Sequence, residues 1–178
     1  MNTLDFLSIA NAIVPGRTYV VFEGKRLRYA EINERINRTA NALLKLGIHK
    51  GDRVAILQVN CPQYLEAYYT TARIGGIFVP LNFRAKQDEL TYMLINSEAS
   101  TLFVGERYLD LVNAMRPQLP SIRNFISMDR KTDGFFYYEE LLSTASTKEV
   151  VTDIDDNDIT ILMYTAGTTG LPKGVPLT

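Results

Sequence analysis

Apolar residues recur at helical spacing through residues 3–14 (TLDFLSIANAIV), and Pro15-Gly16 closes the run. Residues 18–22 and 25–29 flank Glu23-Gly24 and predict a β-hairpin. Between Ala30 and Leu46, the residues Ile32, Ile36, Ala40, Leu43 and Leu44 form one helical stripe that Gly47 ends. From Gly51 onward the period changes. Apolar runs at 53–59, 77–81, 101–104 and 125–128 predict buried strands. Amphipathic segments separate them: a helix opened by Pro62 and running to about Ile74, then Lys86 to Asn96, then Arg107 to Met115, with stops at Gly75-Gly76 and Pro117. Residues 139–142 predict a helical turn, and Ile159 to Tyr164 a last buried strand. Strands apolar throughout, alternating with amphipathic helices, are βαβ units. The pattern therefore predicts an α/β fold: a mostly parallel, doubly wound sheet with helices on both faces, preceded by an N-terminal hairpin and helix. Ser143 to Asp158, polar and acidic, is the nearest thing to a linker, and no internal repeat interrupts the chain.

Composition narrows the class without naming it. The 178 residues are 46% hydrophobic and 22% charged, with a net charge of −1, which describes one ordinary globular domain. No basic surplus points to nucleic acid or an anionic surface. The first residues, Met1-Asn-Thr-Leu-Asp-Phe, lack the charged and apolar regions of a signal peptide, and no apolar run reaches membrane-spanning length. A single cysteine, Cys61, excludes an internal disulfide framework. A cytoplasmic protein is expected.

The candidate chemistry lies near the end of the chain. The last strand discharges into Thr165-Ala166-Gly167-Thr168-Thr169-Gly170-Leu171-Pro172-Lys173-Gly174. This composition suits a polyanion. Glycines let successive backbone N–H groups converge on phosphate oxygens, the threonines add hydroxyl donors, and Lys173 adds a mobile positive charge. It is not a Walker A loop, because Lys173 follows proline and precedes glycine, and no Gly-x-Gly-x-x-Gly occurs elsewhere.

Residue for residue, the loop resembles the phosphate-binding signature of the adenylate-forming superfamily: acyl-CoA synthetases, peptide-synthetase adenylation domains and luciferases. Only Ala166, where serine is usual, departs from it. Three further segments resemble the same family in the same order: Arg28-Tyr29-Ala30-Glu31-Ile32-Asn33, Gly51-Asp52-Arg53-Val54-Ala55-Ile56, and Gly75-Gly76-Ile77-Phe78-Val79-Pro80-Leu81-Asn82. The resemblance implies a ligase that couples ATP, Mg2+, a carboxylic acid and CoA. Thr165, Ala166, Gly167, Thr168, Thr169, Gly170 and Lys173 would hold the β- and γ-phosphates. Asn82-Phe83-Arg84 resembles the fatty-acyl-CoA synthetase variant and inclines the expectation toward a fatty or related acid. Because family members are several times longer, the resemblance also implies an N-terminal part. Its catalytic and metal-binding residues would lie downstream, and it would be inactive alone. Residues 1–50 would pack with a subdomain formed later in the sequence, while 51–178 form the α/β subdomain. Strand edges left open by that division would favour self-association. A peptide-synthetase-type adenylation domain and a non-catalytic nucleotide-binding or interaction module are the alternatives.

Other candidates have plainer explanations. His49 sits in the Gly47–Gly51 turn and is expected on the surface. Cys61, just before Pro62, suits a helix start. Asp153, Asp155, Asp156 and Asp158 lack the glycine and glutamate of a calcium loop. Arg84 is expected to be exposed, and Tyr64, Tyr68 and Tyr69 to pack. Asn37-Arg38-Thr39 matches a glycosylation sequon but falls inside a predicted helix.

Overall fold

The computed structural model describes residues 3–165 and 170–178. Helix α1 (Thr3–Ile13) leads into strands β1 (Thr18–Phe22) and β2 (Lys25–Arg28), an antiparallel sheet of their own. Their turn holds Glu23 and Gly24 at φ of 47° and 78°, the left-handed pair that a two-residue hairpin turn requires. Helix α2 (Tyr29–Lys45) follows directly. Glu31 accepts from the Arg28 backbone N–H at 2.7 Å, but Arg28 has no acceptor to return the bond, so half a capping box forms. Ile32, Ile36, Ala40 and Leu43 are fully buried, whereas Leu44, expected on the same stripe, is exposed.

The remaining elements build a seven-stranded sheet. They are β3 (Arg53–Leu57), α3 (Pro62–Arg73), β4 (Ile77–Pro80), α4 (Gln87–Asn96), β5 (Thr101–Val104), α5 (Leu109–Met115), β6 (Asn124–Ser127), β7 (Phe136–Tyr137), α6 (Tyr138–Thr144), β8 (Ile161–Thr165) and β9 (Lys173–Leu177). The strand order is β7-β6-β5-β3-β4-β8-β9, parallel throughout except for β9, which runs antiparallel to β8. Alternation along the strands divides the core. Ala55, Leu57, Leu102 and Val104 face α4 and α5, with Leu90, Leu94 and Val112. Val54, Ile56 and Phe103 face α2, α3 and α6, with Ala40, Leu43, Ala67 and Leu142. Burial on both faces is why these strands read as unbroken apolar runs.

Four local expectations are corrected. The single helix expected at 107–115 is a 3-10 turn (Glu106–Tyr108), then α5, then a second 3-10 turn (Arg116–Gln118) where Pro117 blocks a regular helix. The turn expected at 139–142 is a seven-residue helix. Lys173–Leu177 is a strand, so Lys173 and Gly174, expected in the loop, begin β9. The segment after α6 is docked rather than free: Asn41 Nδ2 donates to the carbonyls of Ser146 (3.1 Å) and Lys148 (2.8 Å). Lys50 Nζ donates to the Asp153 carbonyl (2.8 Å) and pairs with Asp158 at 2.6 Å.

Candidate functional site

The loop-bearing end of β8 projects beyond the parallel sheet. β8 and β4 share one register position, Phe78 opposite Ile161, with the Phe78 N–H donating to the Thr160 carbonyl at 2.9 Å. β4 ends at Pro80, which has no N–H to extend the ladder. Beyond that point β8 is paired through β9, from Leu162 opposite Pro176 to Thr165 opposite Lys173. Thr165 and Lys173, both exposed, therefore face one another at the tip of a two-stranded ribbon. Gly170 has φ of 112°, which L side chains rarely adopt, and a Cβ built there would meet nothing within 4 Å. Ala166, Gly167, Thr168 and Thr169 lie outside the described residues. Among the described residues of the ribbon, Lys173 is the only charged one, so its field is positive.

The base of the ribbon is held from the side. Tyr164 hydroxyl donates to Asn96 Oδ1, at the end of α4, at 2.7 Å. Burial pushes the Tyr164 phenol up, so it stays a protonated donor. A Cβ on Gly174, opposite Tyr164, would lie 3.4 Å from the tyrosine ring and 3.2 Å from Leu162. Nothing in the sequence marks this pairing of residues 68 positions apart.

A second concavity, a crevice of about 720 Å3, opens where β3, β5 and β6 end, with the β1–β2 hairpin on its rim. Here α3 and α5 leave adjacent strands toward opposite faces of the sheet, the topological switch point at which open α/β sheets form crevices. Several of its charged groups have hydrogen-bond or ion-pair partners within the fold. Glu66, 1% exposed, accepts from Arg35 Nε at 2.7 Å and from the Tyr138 hydroxyl at 2.7 Å. Arg35 donates two more bonds to Glu139, at 2.6 and 3.1 Å. Burial, with the Glu66 charge beside it, pushes the Tyr138 phenol well up. Asp129 accepts from Gln58 Nε2 at 3.0 Å and from the Glu106 backbone N–H at 2.6 Å. Cys61 lines the crevice, and burial pushes its thiol up, the opposite of a reactive thiolate.

The remaining candidates are structural. His49 is exposed, and its backbone N–H donates to Asp52 at 2.8 Å. Asp155 and Asp158 accept local backbone N–H bonds and Lys50 neutralises Asp158; among the described residues no cluster of acidic, histidine or cysteine side chains could hold a metal. Arg84 lies over the Phe83 ring, 5.4 Å from its centroid. Tyr64 and Tyr68 pack edge-on against Phe78, and Tyr69 against Tyr19. Burial pushes Tyr64 up to about 12, so it does not titrate near neutrality. Asn37 is 6% exposed and accepts from Arg73 Nη1. Among the described residues, the ribbon thus offers backbone, hydroxyl and ammonium groups suited to an anion.

A family model described as AMP-binding enzyme matches residues 9–178. Crotonobetaine/carnitine–CoA ligase of Salmonella agona (strain SL483) is 34% identical over 172 residues, 91% of this chain and 33% of that protein. The 3-oxocholest-4-en-26-oate–CoA ligase of Rhodococcus rhodochrous is 34% identical over 181 residues, 98% of this chain and 32% of that protein. A solved Mycobacterium tuberculosis fatty acyl CoA synthetase superposes with a TM-score of 0.89 at 29% identity, over 99% of this chain and 34% of that one. The chain spans about a third of the length of the curated relatives it matches. With that family model matched over residues 9–178, the chain belongs to the family of AMP-binding enzymes.

Proposed function

We propose that the protein containing this chain is an AMP-forming acyl-CoA ligase. A carboxylate oxygen attacks the α-phosphorus of ATP and pyrophosphate leaves. The thiol of CoA then displaces AMP from the mixed anhydride and forms the thioester. Reactant and leaving group are both anionic, so the protein's task is positioning and charge neutralisation. Thr165, Gly170 and Lys173, with Ala166, Gly167, Thr168 and Thr169 between them, would hold the β- and γ-phosphates.

The observation that carries this reading is the ribbon. The Gly/Thr sequence joins two antiparallel strands, with Thr165 and Lys173 opposite one another at its ends. An open Gly170 and an exposed lysine fit a phosphate chain. Mg2+, when bound, would supply further charge neutralisation on those phosphates.

The relatives named above are CoA ligases, which favours CoA over a carrier protein as acceptor. Their acids differ. Asn82-Phe83-Arg84 and the likeness to a fatty acyl CoA synthetase support a fatty or related acid, hence a place in fatty-acid metabolism. Taken alone, a chain with about a third of its relatives' length is proposed not to turn over. Among the described residues no helix is long and apolar enough to cross a membrane, which fits the proposed cytoplasmic setting. The division at residue 50 is retained as a proposal. The separate β1–β2 sheet and the 60% exposed Val21 support a further packing partner for the hairpin.

The test is thioester formation by the complete open reading frame with Mg-ATP, CoA and short, long and aromatic carboxylates. One acid class should be turned over, and Lys173→Ala should lower kcat/KM by at least about tenfold, as expected for loss of a charged contact. No thioester with any acid, or an unaffected Lys173→Ala variant, would sink the proposal.

A further inference from the structure

We infer that Tyr164 and Asn96 form a positioning pair that sets the phosphate-binding ribbon against the body of the domain. The inference rests on the proposed ligase function and gives a positioning role to Tyr164, the residue before Thr165, and to its partner Asn96.

The mechanical situation is unusual for a strand in a parallel sheet. β8 shares a single register position with β4, at Ile161, and Pro80 ends β4 without an N–H. The four residues from Leu162 to Thr165 are hydrogen-bonded through β9, itself an edge strand. A two-stranded ribbon whose backbone bonds to the sheet lie at one end depends on side-chain contacts, here Leu162 and Tyr164, to limit its twist and swing. Hydrogen bonds within it, such as Thr160 Oγ1 to the Leu177 carbonyl or Thr165 Oγ1 to the Lys173 carbonyl, hold its strands together but do not fix its direction. Among the described residues, the Tyr164 hydroxyl reaches from the ribbon to the end of α4, where it donates to Asn96 Oδ1 at 2.7 Å and has the Ser97 side chain as a second polar neighbour.

That bond is made one residue before Thr165. Tyr164 lies on the ribbon face that packs with Leu162 against the α4–α5 side of the core, and Gly174 leaves room for its ring. Asn96 is the last residue of α4, a helix whose Leu90, Met93 and Leu94 are buried against the sheet. The donor therefore rides on the moving part and the acceptor on the fixed part. With the bond made, Thr165 and Lys173 point in one direction; without it, only a fraction of the molecules present them correctly. Apparent affinity for the phosphates falls by that fraction.

The experiment uses the complete open reading frame and carboxylate-dependent pyrophosphate–ATP exchange, with KM measured separately for ATP and the acid. Tyr164→Phe removes only the hydroxyl. Asn96→Leu removes the acceptor at an exposed position, and Asn96→Asp keeps one. Tyr164→Phe and Asn96→Leu should each raise the KM for ATP about three- to tenfold, the effect of one lost hydrogen bond, and leave the KM for the acid unchanged. The double variant should be no worse than either single variant, and Asn96→Asp should behave like wild type. An unchanged KM for ATP in Tyr164→Phe, a parallel rise in both KM values, or additive effects in the double variant would overturn the inference. A wild-type protein without exchange on any acid would instead refute the ligase function itself.

Discussion

At the scale of single residues, the structure separates groups that look alike in sequence. Glu66 and Glu139 both pair with Arg35, but Glu66 is buried and also accepts from Tyr138, whereas the Glu139 side chain is 38% exposed. Removing Glu66 leaves a half-buried guanidinium and a buried phenol short of partners. Glu66→Ala should cost about 2–4 kcal/mol. Glu139→Ala should cost about 0–1 kcal/mol, because water screens that pair. Urea unfolding of the two variants checks the contrast, and equal losses would contradict it. Gly105 is a second case. A Cβ there would lie 2.2 Å from Gln58 Oε1, the oxygen that accepts from the Val59 N–H at 2.8 Å. Gln58 would have to swing away, losing that bond and its bond to Asp129. Gly105→Ala should therefore destabilise by about 1–3 kcal/mol, read as a lower urea midpoint; an unchanged midpoint would show that Gln58 relocates freely.

At the scale of elements, the docked segment between α6 and β8 makes a pH-dependent prediction. The Lys50 ammonium holds the Asp158 carboxyl below the usual carboxylate range, and Asp158 in turn raises Lys50. A carboxyl lowered by folding contributes stability above its unfolded pKa and loses it as pH falls through the folded value. A raised lysine contributes below its unfolded pKa and loses it as pH rises through the folded value. The Tm difference between wild type and Asp158→Asn should thus be level from about pH 5 to about pH 9 and fade below about pH 4. A difference that persists at about pH 2 would assign the effect to something other than the ion pair. Other elements were open to reading from sequence because their burial leaves a period. The strands covered on both faces, and the Ile32, Ile36, Ala40 and Leu43 stripe of α2, announce themselves. β7 is two residues long and β9 is exposed along its whole length, so neither leaves an apolar pattern. The Tyr164–Asn96 bond and the Gln58–Asp129 pair depend on how strands are ordered, which no local spacing encodes. The loop stands out for a different reason: Thr165 through Lys173 follow one another mostly as small, hydroxyl and glycine residues with one lysine, the composition on which the proposed phosphate grip rests.

At the scale of the whole molecule, two expectations follow from what the fold exposes and what it carries. β9 is an open edge strand, with Val175 and Leu177 each 40% exposed and Met163 on β8 45% exposed. Such an edge favours pairing with another copy, so the 178-residue chain is proposed to self-associate. Light scattering should report a mass above the monomer, reduced by Val175→Lys, and a monodisperse wild-type monomer would contradict this. This chain is proposed to supply the phosphate grip of an acid-activating ligase. Exchange of labelled pyrophosphate into ATP, without CoA, tests it most directly, because it reads acid activation apart from thioester formation. With the complete open reading frame, exchange should require a carboxylic acid of one class and fall sharply in Lys173→Ala. Exchange absent with every acid, or equally fast without any acid, would refute that role.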